Sequence, residues 1–304
     1  QNQTLIDIQK IKGFIEVDSS NNTLHCSANS LIKDILKKII PLGYFLPIVP
    51  GTQNVTIGGA IANDIHGKNH HIAGSFGNFV QEIEVLRSDK GRIVCNNNNF
   101  NELFNSTIGG LGLTGIILSA KIELKKINSS KIIAINKPFN SFGEYISLNE
   151  KIESEYEYCV GWVDLLHLKK EQFRGVILAG NHLEDSEKIE YLKETRELNF
   201  PFTPPFSLVN QFSLYFLNSF YFYMNKRKKS YITNYRSFFF PLDIINYWNK
   251  AYGRKGFYQY QFVIPKKNAT YFFKEFISEL KKSKETPALT VLKSFGNIAS
   301  LGTL

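Results

Sequence analysis

Residues 50–80 of the chain read PGTQNVTIGGAIANDIHGKNHHIAGSFGNFV, the most distinctive run in the sequence. Its central part, from Gly58 to Asn78, contains five glycines and three of the chain's six histidines, which are His66, His70 and His71. Histidines in such a cluster can bind a metal, act as a catalytic base, or lie in a loop that wraps around a cofactor. The function of the chain depends on which of these applies.

Metal binding is the least supported of these three. His66 and His70 are four residues apart, a spacing that suits metal ligands on a helix, but Gly67 lies between them and disfavours a sustained helix. No CxxC pair or second histidine cluster completes a ligand set. Glycines beside apolar residues, as in IGGAIA and IAGSFG, favour a backbone that approaches a large flat ligand closely. We therefore predict no metal site.

A second glycine pattern, GLGLTG at Gly110–Gly115, matches the dinucleotide-binding motif GxGxxG. That motif binds a pyrophosphate only where a helix follows, because the helix N-terminus faces the phosphates. The residues that follow here, IILSAKIEL, predict a strand by their spacing and β-branching. A nicotinamide-binding Rossmann site is therefore excluded.

The composition is that of a globular protein with a sizeable core. The chain has 304 residues, of which 43% are hydrophobic and 21% charged, enough for one large or two ordinary domains. A net charge of +9 suits a phosphate-bearing substrate or an anionic lipid, whereas the scattered lysines do not indicate nucleic acid. Cys26, Cys95 and Cys159 are far apart, so we expect buried thiols, with a single disulfide left open.

Local patterns predict an α+β order with short strands in the first half and an aromatic-rich second half from about residue 128. The predicted strands are two within residues 5–28, a hairpin over 80–94, and single strands at 116–127, 159–166, 257–264 and 289–295. The predicted helices are 31–40 with Ser30 as N-cap, 100–104, 242–251, and one from Asn268 to residue 282.

The quoted run, followed by TIGGLGLTGII, resembles the FAD-binding domain of vanillyl-alcohol-oxidase-type flavoproteins, and within them the decaprenylphosphoryl-β-D-ribose 2-oxidase family. PLDIINYWNKAYGRKGFYQYQFVIP and LTVLKSFG resemble the substrate domain of that family. The resemblance implies an FAD-binding domain at residues 1–127 and an antiparallel-sheet substrate domain at 128–304, both incomplete. The family's first FAD loop and its returning C-terminal segment would lie outside this sequence, so the chain is expected to be a fragment.

The same resemblance assigns residues to the cofactor. It implies a non-covalent FAD, although His66 occupies the position that carries a covalent flavin bond in some members of the wider fold. Backbone N–H groups in glycine turns suit the pyrophosphate, and apolar residues suit the flavin ring. The residues implied to line FAD are Gly51, Thr56, Ile57, Gly58, Gly59, Asn63, Asp64, Ile65, His66 and Ile117.

Gln259 and Gln261 share one face of the predicted strand at 257–264, which suits either sugar hydroxyls or solvent. Lys293 lies on an apolar strand face, as either an edge residue or a functional cation. The resemblance favours the substrate pocket for both, and gives catalytic roles to His66, Lys293 and Gln261. It adds four further pocket residues, which are Trp162, Leu289, Val291 and Phe239. At Phe239 the family has a tyrosine.

The expected function is FAD-dependent oxidation of a sugar secondary hydroxyl, namely the 2-hydroxyl of a polyprenylphosphoryl ribose in cell-wall arabinose precursor synthesis. A partner reductase would complete the epimerisation. The alternatives are a sugar or aldonolactone oxidase of the same fold, or a non-catalytic membrane-surface module. Residues 206–224 are uncharged and aromatic and precede Lys226–Lys229, which predicts an element at the membrane surface rather than a spanning helix. We expect a bacterial protein that is peripheral at the inner membrane.

Overall fold

The structure, a computed structural model, describes residues 7–8, 10, 12–169, 172–184, 198–283 and 285–302. In this part of the chain two five-stranded antiparallel sheets are formed, one within residues 15–123 and the other within residues 131–292. The strands are β1 (Ile15–Asp18), β2 (Thr23–Ser27), β3 (Tyr44–Phe45), β4 (Val80–Arg87), β5 (Gly91–Asn96), β6 (Ile116–Glu123), β7 (Lys125–Lys126), β8 (Lys131–Phe139), β9 (Tyr158–Lys169), β10 (Gln172–His182), β11 (Leu198–Asn199), β12 (Ser230–Asn234), β13 (Ile245–Asn246) and β14 (Thr290–Leu292).

Helices connect and cover these strands. The α-helices are α1 (Ile32–Ile39), α2 (Ile57–Ala62), α3 (His70–Ala73), α4 (Asn101–Thr107), α5 (Phe142–Glu153), α6 (Gln211–Lys226), α7 (Tyr235–Phe239) and α8 (Ala269–Ser283). Short 3₁₀ helices occur at Ile40–Leu42, Phe76–Phe79, Pro241–Ile244, Trp248–Tyr252 and Lys266–Asn268.

The first sheet has the strand order β1-β2-β6-β4-β5. The predicted hairpin over residues 80–94 is confirmed as β4 and β5, and Gly91 adopts the positive φ of 68° that its turn requires. Helix α1 covers the sheet with an apolar stripe at helical spacing, because Ile32, Ile35, Leu36 and Ile39 are all buried. The three cysteines are buried and free, which confirms the expected thiols.

The second sheet has the order β12-β8-β10-β9-β14. One face packs against α5 and α8, with Phe139, Val163, Phe273 and Ile277 in the same buried cluster. The other face carries Trp162 and Val176 and packs against Phe222 of α6. Val291 of β14 lies directly opposite Trp162 of β9, so both side chains belong to this second face.

The two sheets are joined by a shared apolar core. Phe45 from the first half of the chain contacts Tyr235 and Phe239 from the second half, and Tyr158 lies against Phe239 in the same cluster. The boundary expected at residue 127 falls between the two sheets, and the division into two domains stays a prediction. The mixture of helices and antiparallel sheets agrees with the predicted α+β class.

Three secondary-structure predictions are wrong. Ser30 does not cap α1: the N-cap is Leu31, and the Ser30 hydroxyl contacts the hydroxyl of Ser27 at 2.9 Å. The helix expected at 242–251 is replaced by two 3₁₀ turns around β13, because Tyr247 is left-handed and β13 pairs with β11. The stretch 257–264 has no strand assignment, and its exposed tyrosines show that the alternation there does not reflect a buried sheet face.

Helix α2 in the glycine run was not predicted, because two of its six residues are glycines with poor helix propensity. Tertiary contacts stabilise it instead. The Thr56 hydroxyl caps it by accepting a hydrogen bond from the Gly59 backbone N–H at 3.2 Å, and the Gly58 N–H donates to the Ala28 carbonyl at 2.8 Å. The sequence pattern also predicted a longer last strand, from 289 to 295, than β14 shows.

Candidate functional site

The two glycines of α2 have different surroundings. A Cβ on Gly58 would lie 3.0 Å from the Ala28 Cβ, so this glycine lets the helix pack closely against the end of β2. A Cβ on Gly59 would meet only the Thr56 hydroxyl, at 3.2 Å, and one on Gly51 would meet nothing within 4 Å. The backbone at Gly51 is therefore open on one side to a ligand, while Gly58 is required for packing and Gly59 lies close to the Thr56 cap.

Asp64 shapes the turn that follows α2. It is buried and left-handed, with φ of 39°. Its carboxylate accepts hydrogen bonds from the Gly77 N–H and from the hydroxyls of Ser75 and Ser300, each at 2.7 Å. The carboxylate is satisfied by protein groups, so Asp64 holds in place the loop that carries His66.

His66 follows this turn and lies at the centre of the candidate site. Gln261 Nε2 donates to His66 Nε2 at 3.1 Å, and the edge of the His66 ring contacts Phe295 with centroids 4.8 Å apart. Burial, aided by the nearby charges of Lys293 and His70, lowers the pKa of His66 to about 4. The imidazole is therefore neutral at pH 7, and a proton at Nδ1 leaves Nε2 as the acceptor.

The Nδ1 atom of His66 is buried and meets no acceptor of normal geometry in the described residues. The nearby Gly67 backbone raises the pKa of His66 slightly, but it forms no hydrogen bond of normal geometry with the ring. A buried donor without a partner is costly, and a ligand oxygen or nitrogen would satisfy it.

Two lysines approach the same site. Lys293 follows β14 and is half-buried, and burial lowers the pKa of its amine to about 8. Burial, followed by the charge of Lys293, lowers the pKa of Lys68 to about 7. Lys68 Nζ donates to the Phe239 carbonyl at 3.1 Å and lies over the Phe238 and Phe239 rings. Two amines whose charged forms repel each other favour an anionic ligand nearby.

Lys68 is a candidate site residue that the sequence reasoning missed. It lies inside HGKNHH, but nothing in its local spacing separates it from a solvated loop lysine. Its role becomes visible only through Lys293, which is 225 positions further along the chain. Phe239, expected in the pocket, is buried in the core, and its ring supports Lys68 while its carbonyl accepts from the amine.

Most of the other expected substrate residues lie on or next to the strand that precedes Lys293. Leu289 and Val291 are exposed on or next to β14, and Trp162 is buried opposite Val291, with its ring 4.7 Å from that of Tyr221. Gln259 is exposed, two residues before the Gln261 that contacts His66. The structure therefore brings His66, Gln261 and Lys293 together.

The residues present fit FAD. Gly51 offers open backbone, His66 offers a buried unpartnered nitrogen, and Ile65 beside it is apolar and half-buried. Ile57 and Ile117 are buried in the core behind this surface, and Asn63 is exposed at the end of α2, where its amide donates to the Gly59 carbonyl at 2.8 Å. In the described part of the chain no cluster of three or more metal-ligating side chains is present.

Comparisons with known proteins agree with FAD as the cofactor. Residues 1–95 match the family described as FAD binding domain. The chain is 33% identical over 301 residues to the decaprenylphosphoryl-β-D-ribose oxidase of Mycolicibacterium smegmatis. The matched region covers 96% of this chain and 65% of that oxidase. It is 28% identical over 131 residues to the D-lactate dehydrogenase of Archaeoglobus fulgidus, which covers 41% of the chain and 29% of the dehydrogenase. It is 24% identical over 121 residues to the L-gulonolactone oxidase of Scyliorhinus torazame, which covers 39% of the chain and 27% of that oxidase.

The matched FAD-binding domain and the mixture of helices and antiparallel sheets confirm the predicted α+β fold class and the cofactor FAD. The chain is similar over almost its whole length to decaprenylphosphoryl-β-D-ribose oxidase, as the sequence motifs indicated. The chain spans 65% of the length of that relative, so the activity of the whole protein is a matter for proposal.

Proposed function

We propose that the protein is an FAD-dependent oxidoreductase that oxidises the 2-hydroxyl of a polyprenylphosphoryl ribose to a ketone. The observation that carries this proposal is the hydrogen bond between His66 and Gln261, beside the FAD-binding run, with the charge of Lys293 close enough to act on both His66 and Lys68. Similarity over 96% of the chain to an oxidase of this substrate class supports it.

The side chains divide the work as follows. Lys293 binds the anionic phosphate that links the sugar to the lipid, because a charged amine in a half-buried site favours a negative charge. Gln261, which also contacts His66, and Gln259 hydrogen-bond the sugar hydroxyls, since an amide offers both a donor and an acceptor. Bound FAD would accept the hydride from the sugar carbon.

The oxidation also releases the hydroxyl proton, and the protein must accept it. A general base works best when its pKa lies near the working pH. Lys68, whose pKa is about 7, is partly unprotonated at neutral pH and can accept the proton at Nζ. The imidazole of His66, with a pKa of about 4, is the weaker base, and it positions Gln261 and meets the cofactor.

The test is anaerobic flavin reduction in the full-length protein loaded with FAD. Polyprenylphosphoryl ribose should bleach the oxidised flavin absorbance, while the 2-deoxyribose analogue should bind and leave it unchanged. Bleaching by the deoxy analogue would move the oxidised position away from the 2-hydroxyl. Bleaching by a gulonolactone but not by either lipid-linked sugar would favour an aldonolactone oxidase.

We also propose that FAD is bound non-covalently. Acid precipitation of the full-length protein should then release intact FAD into the supernatant. Yellow colour that stays with the denatured pellet would show a covalent bond and would point to His66 as the attachment site.

The ketone product fixes the class of the next reaction. A ketone at carbon 2 becomes the arabinose epimer only if a reductase delivers hydride to the opposite face. We therefore propose a partner reductase at the inner membrane of a bacterium, where both enzymes would meet a lipid-linked sugar.

A further inference from the structure

Helix α6 turns polar residues towards the protein. Its buried stripe consists of Leu214, Asn218, Phe222 and Asn225, which recur at helical spacing. Two of these four are asparagines, a residue type that is mostly exposed in soluble proteins. The side of α6 that packs on the second sheet is therefore unusually polar.

Buried hydrogen bonds fix this orientation. Asn218 Nδ2 donates to Asp164 Oδ1 at 3.0 Å, and Asn136 Nδ2 donates to Asn225 Oδ1 at 3.0 Å. Arg174 Nη2 donates to the Ser219 hydroxyl at 2.8 Å and is itself paired with Asp164, which has no exposed surface. Turning the helix over would leave these groups buried without partners, so the orientation is specified.

The outward face of α6 is correspondingly apolar. Phe212, Phe216 and Phe220 are 75%, 58% and 68% exposed. Leu217, Tyr223 and Met224 are exposed beside them, and Phe202 and Phe206 extend the patch before the helix. A helix on a water-facing surface normally shows the opposite arrangement, and contiguous exposed apolar surface of this kind marks an interaction site.

The charge around this face indicates what covers it. Lys226, Arg227, Lys228 and Lys229 are exposed at the C-terminal end of α6, and no acidic residue occurs from residue 198 to residue 242. Aromatic side chains with an adjoining basic cluster complement an anionic lipid surface, in which rings enter the leaflet and lysines contact head groups. In the described ranges no helix is long and apolar enough to cross a membrane.

We propose that α6 lies in the plane of an anionic membrane, with Phe212, Phe216 and Phe220 inserted in the lipid. The inner side of the same helix reaches the candidate site, because Tyr221 and Phe222 pack against Trp162, which lies opposite Val291. A lipid-linked sugar could then remain partly in the leaflet while its phosphate meets Lys293. This last step rests on the proposed function, whereas the insertion of α6 does not.

The test is co-sedimentation of the full-length FAD-loaded protein with vesicles of equal parts phosphatidylcholine and phosphatidylglycerol, and with phosphatidylcholine alone. Wild type should bind the anionic vesicles far better. The double variant Phe216→Ser, Phe220→Ser should lose at least tenfold in partitioning, while Tyr271→Ser on α8, also a highly exposed aromatic, should bind like wild type. Equal loss in both variants would overturn the proposal.

Charge is tested with Lys226→Glu, Lys228→Glu against the matched pair Lys37→Glu, Lys267→Glu, which changes net charge equally at exposed sites away from α6. Neutralising one lysine near an anionic surface costs about fivefold in binding, so the first pair should fall much further than the second. Equal losses would mean non-specific attraction and would overturn the proposal. A dimer in vesicle-free solution that the Phe216→Ser, Phe220→Ser variant abolishes would also overturn it, by assigning the face to a second copy.

These measurements are separable from the enzymatic proposal. Unchanged vesicle binding with no flavin bleaching by the lipid-linked ribose would refute the proposed substrate and leave the membrane helix standing. Loss of vesicle binding in the serine variant, with normal bleaching by detergent-solubilised substrate, would support both.

Discussion

Lys293, Lys68 and His66 show how far a single residue is governed by its neighbours. Burial is the main cause of the lowered pKa of each, and Lys293 lowers the pKa of the other two further. Below about pH 7 the two amines would both be charged in a half-buried site, which costs free energy unless an anion is bound. The site is therefore better suited to a phosphate-bearing ligand than to a neutral one.

Replacing Lys293 tests this arrangement. We expect Lys293→Met to lower kcat/KM about ten- to a hundredfold, because a lost hydrogen bond to a charged group costs roughly 1.5–3 kcal/mol. The same change should raise the pKa of His66, since the charge of Lys293 contributes to its lowering. Steady-state kinetics with FAD occupancy checked, and NMR titration of the histidines, measure the two effects.

Lys267→Met provides the control, because that lysine is exposed and lies outside the site. Activity of Lys293→Met within twofold of wild type, or an unmoved His66 titration, would show that Lys293 only blunts the end of a strand.

At the level of single residues, the sequence predicted those site residues that lie within recognisable motifs. His66, Gln261 and Lys293 were named from their motifs and do lie together. Lys68 was missed and the burial of the Phe239 ring was not predicted, because both depend on contacts between distant parts of the chain, such as that of Lys68 with the Phe239 carbonyl, 171 positions away. Such contacts have no local periodicity.

Among the elements, the turn between α4 and β6 explains why GLGLTG resembles a nucleotide-binding motif without being one. A Cβ on Gly115 would lie 2.6 Å from Val85 Cγ1 and 2.8 Å from the Leu86 carbonyl oxygen. A Cβ on Gly112 would meet nothing within 4 Å, although both glycines have positive φ, of 150° and 78°. Gly115 is therefore required for close packing against β4, and Gly112 for the left-handed backbone of the turn.

The two alanine variants should therefore differ. Gly112→Ala should cost about 1–2 kcal/mol of unfolding free energy from left-handed strain alone. Gly115→Ala should cost about 1–3 kcal/mol more, since overpacking against β4 is added to the strain. Urea denaturation of both variants measures this, and equal losses would show that β4 yields without cost.

The contact between α6 and the second sheet depends on a buried ion pair. Asp164 has no exposed surface and binds Arg174 at 2.8 Å, and it accepts from Asn218 on α6. Asp164→Asn should destabilise the protein by about 3–5 kcal/mol, because the Arg174 charge is left buried without its partner. Denaturant titration measures the loss.

The apolar double variant Asp164→Leu, Arg174→Leu serves as the control. It should recover part of that stability, because replacing both charges removes the unpaired group. A double variant that is as unstable as Asp164→Asn, or a silent Asp164→Asn, would contradict the assigned role of the pair.

Elements with a clear hydrophobic periodicity could be predicted from the sequence, whereas elements stabilised by tertiary contacts could not. The stripe of α1 and the β4–β5 hairpin follow from spacing and a glycine turn. Helix α2 has two glycines and depends on Thr56 and Ala28, while the left-handed Tyr247 interrupts the segment expected to be a helix. Packing overrode propensity in both cases.

At the scale of the whole molecule, the site lies where the two sheets meet. His66 belongs to the first half of the chain, and Gln261 and Lys293 to the second, so neither half holds the site alone. The same junction contains His182, whose ring makes edge-to-face contacts with the rings of Phe45 and Tyr158. No sequence pattern indicated that His182 would be buried there, because burial at a junction depends on how distant segments pack.

Two of these junction histidines should make the protein sensitive to mild acid. Burial lowers the folded-state pKa of His66 and of His182 from 6.5 to about 4. Between these values the unfolded chain binds more protons than the folded protein, so stability falls as the pH is lowered from 6.5 towards 4 and is unaffected by these groups above 6.5. Asp18, whose pKa is lowered from 3.8 to about 2, changes the pH dependence of stability only in a more acidic range.

His182→Asn isolates the contribution of one histidine. The asparagine amide can still donate to the Ser129 carbonyl, which lies 3.0 Å from His182 Nδ1, but it cannot be protonated. Thermal unfolding midpoints across this pH range should fall less steeply for His182→Asn than for wild type, whereas His25→Asn, at an exposed position on β2, should follow wild type. Parallel curves for His182→Asn and wild type would show that His182 is protonated equally in the folded and unfolded states, and would remove the junction as the source of the acid sensitivity.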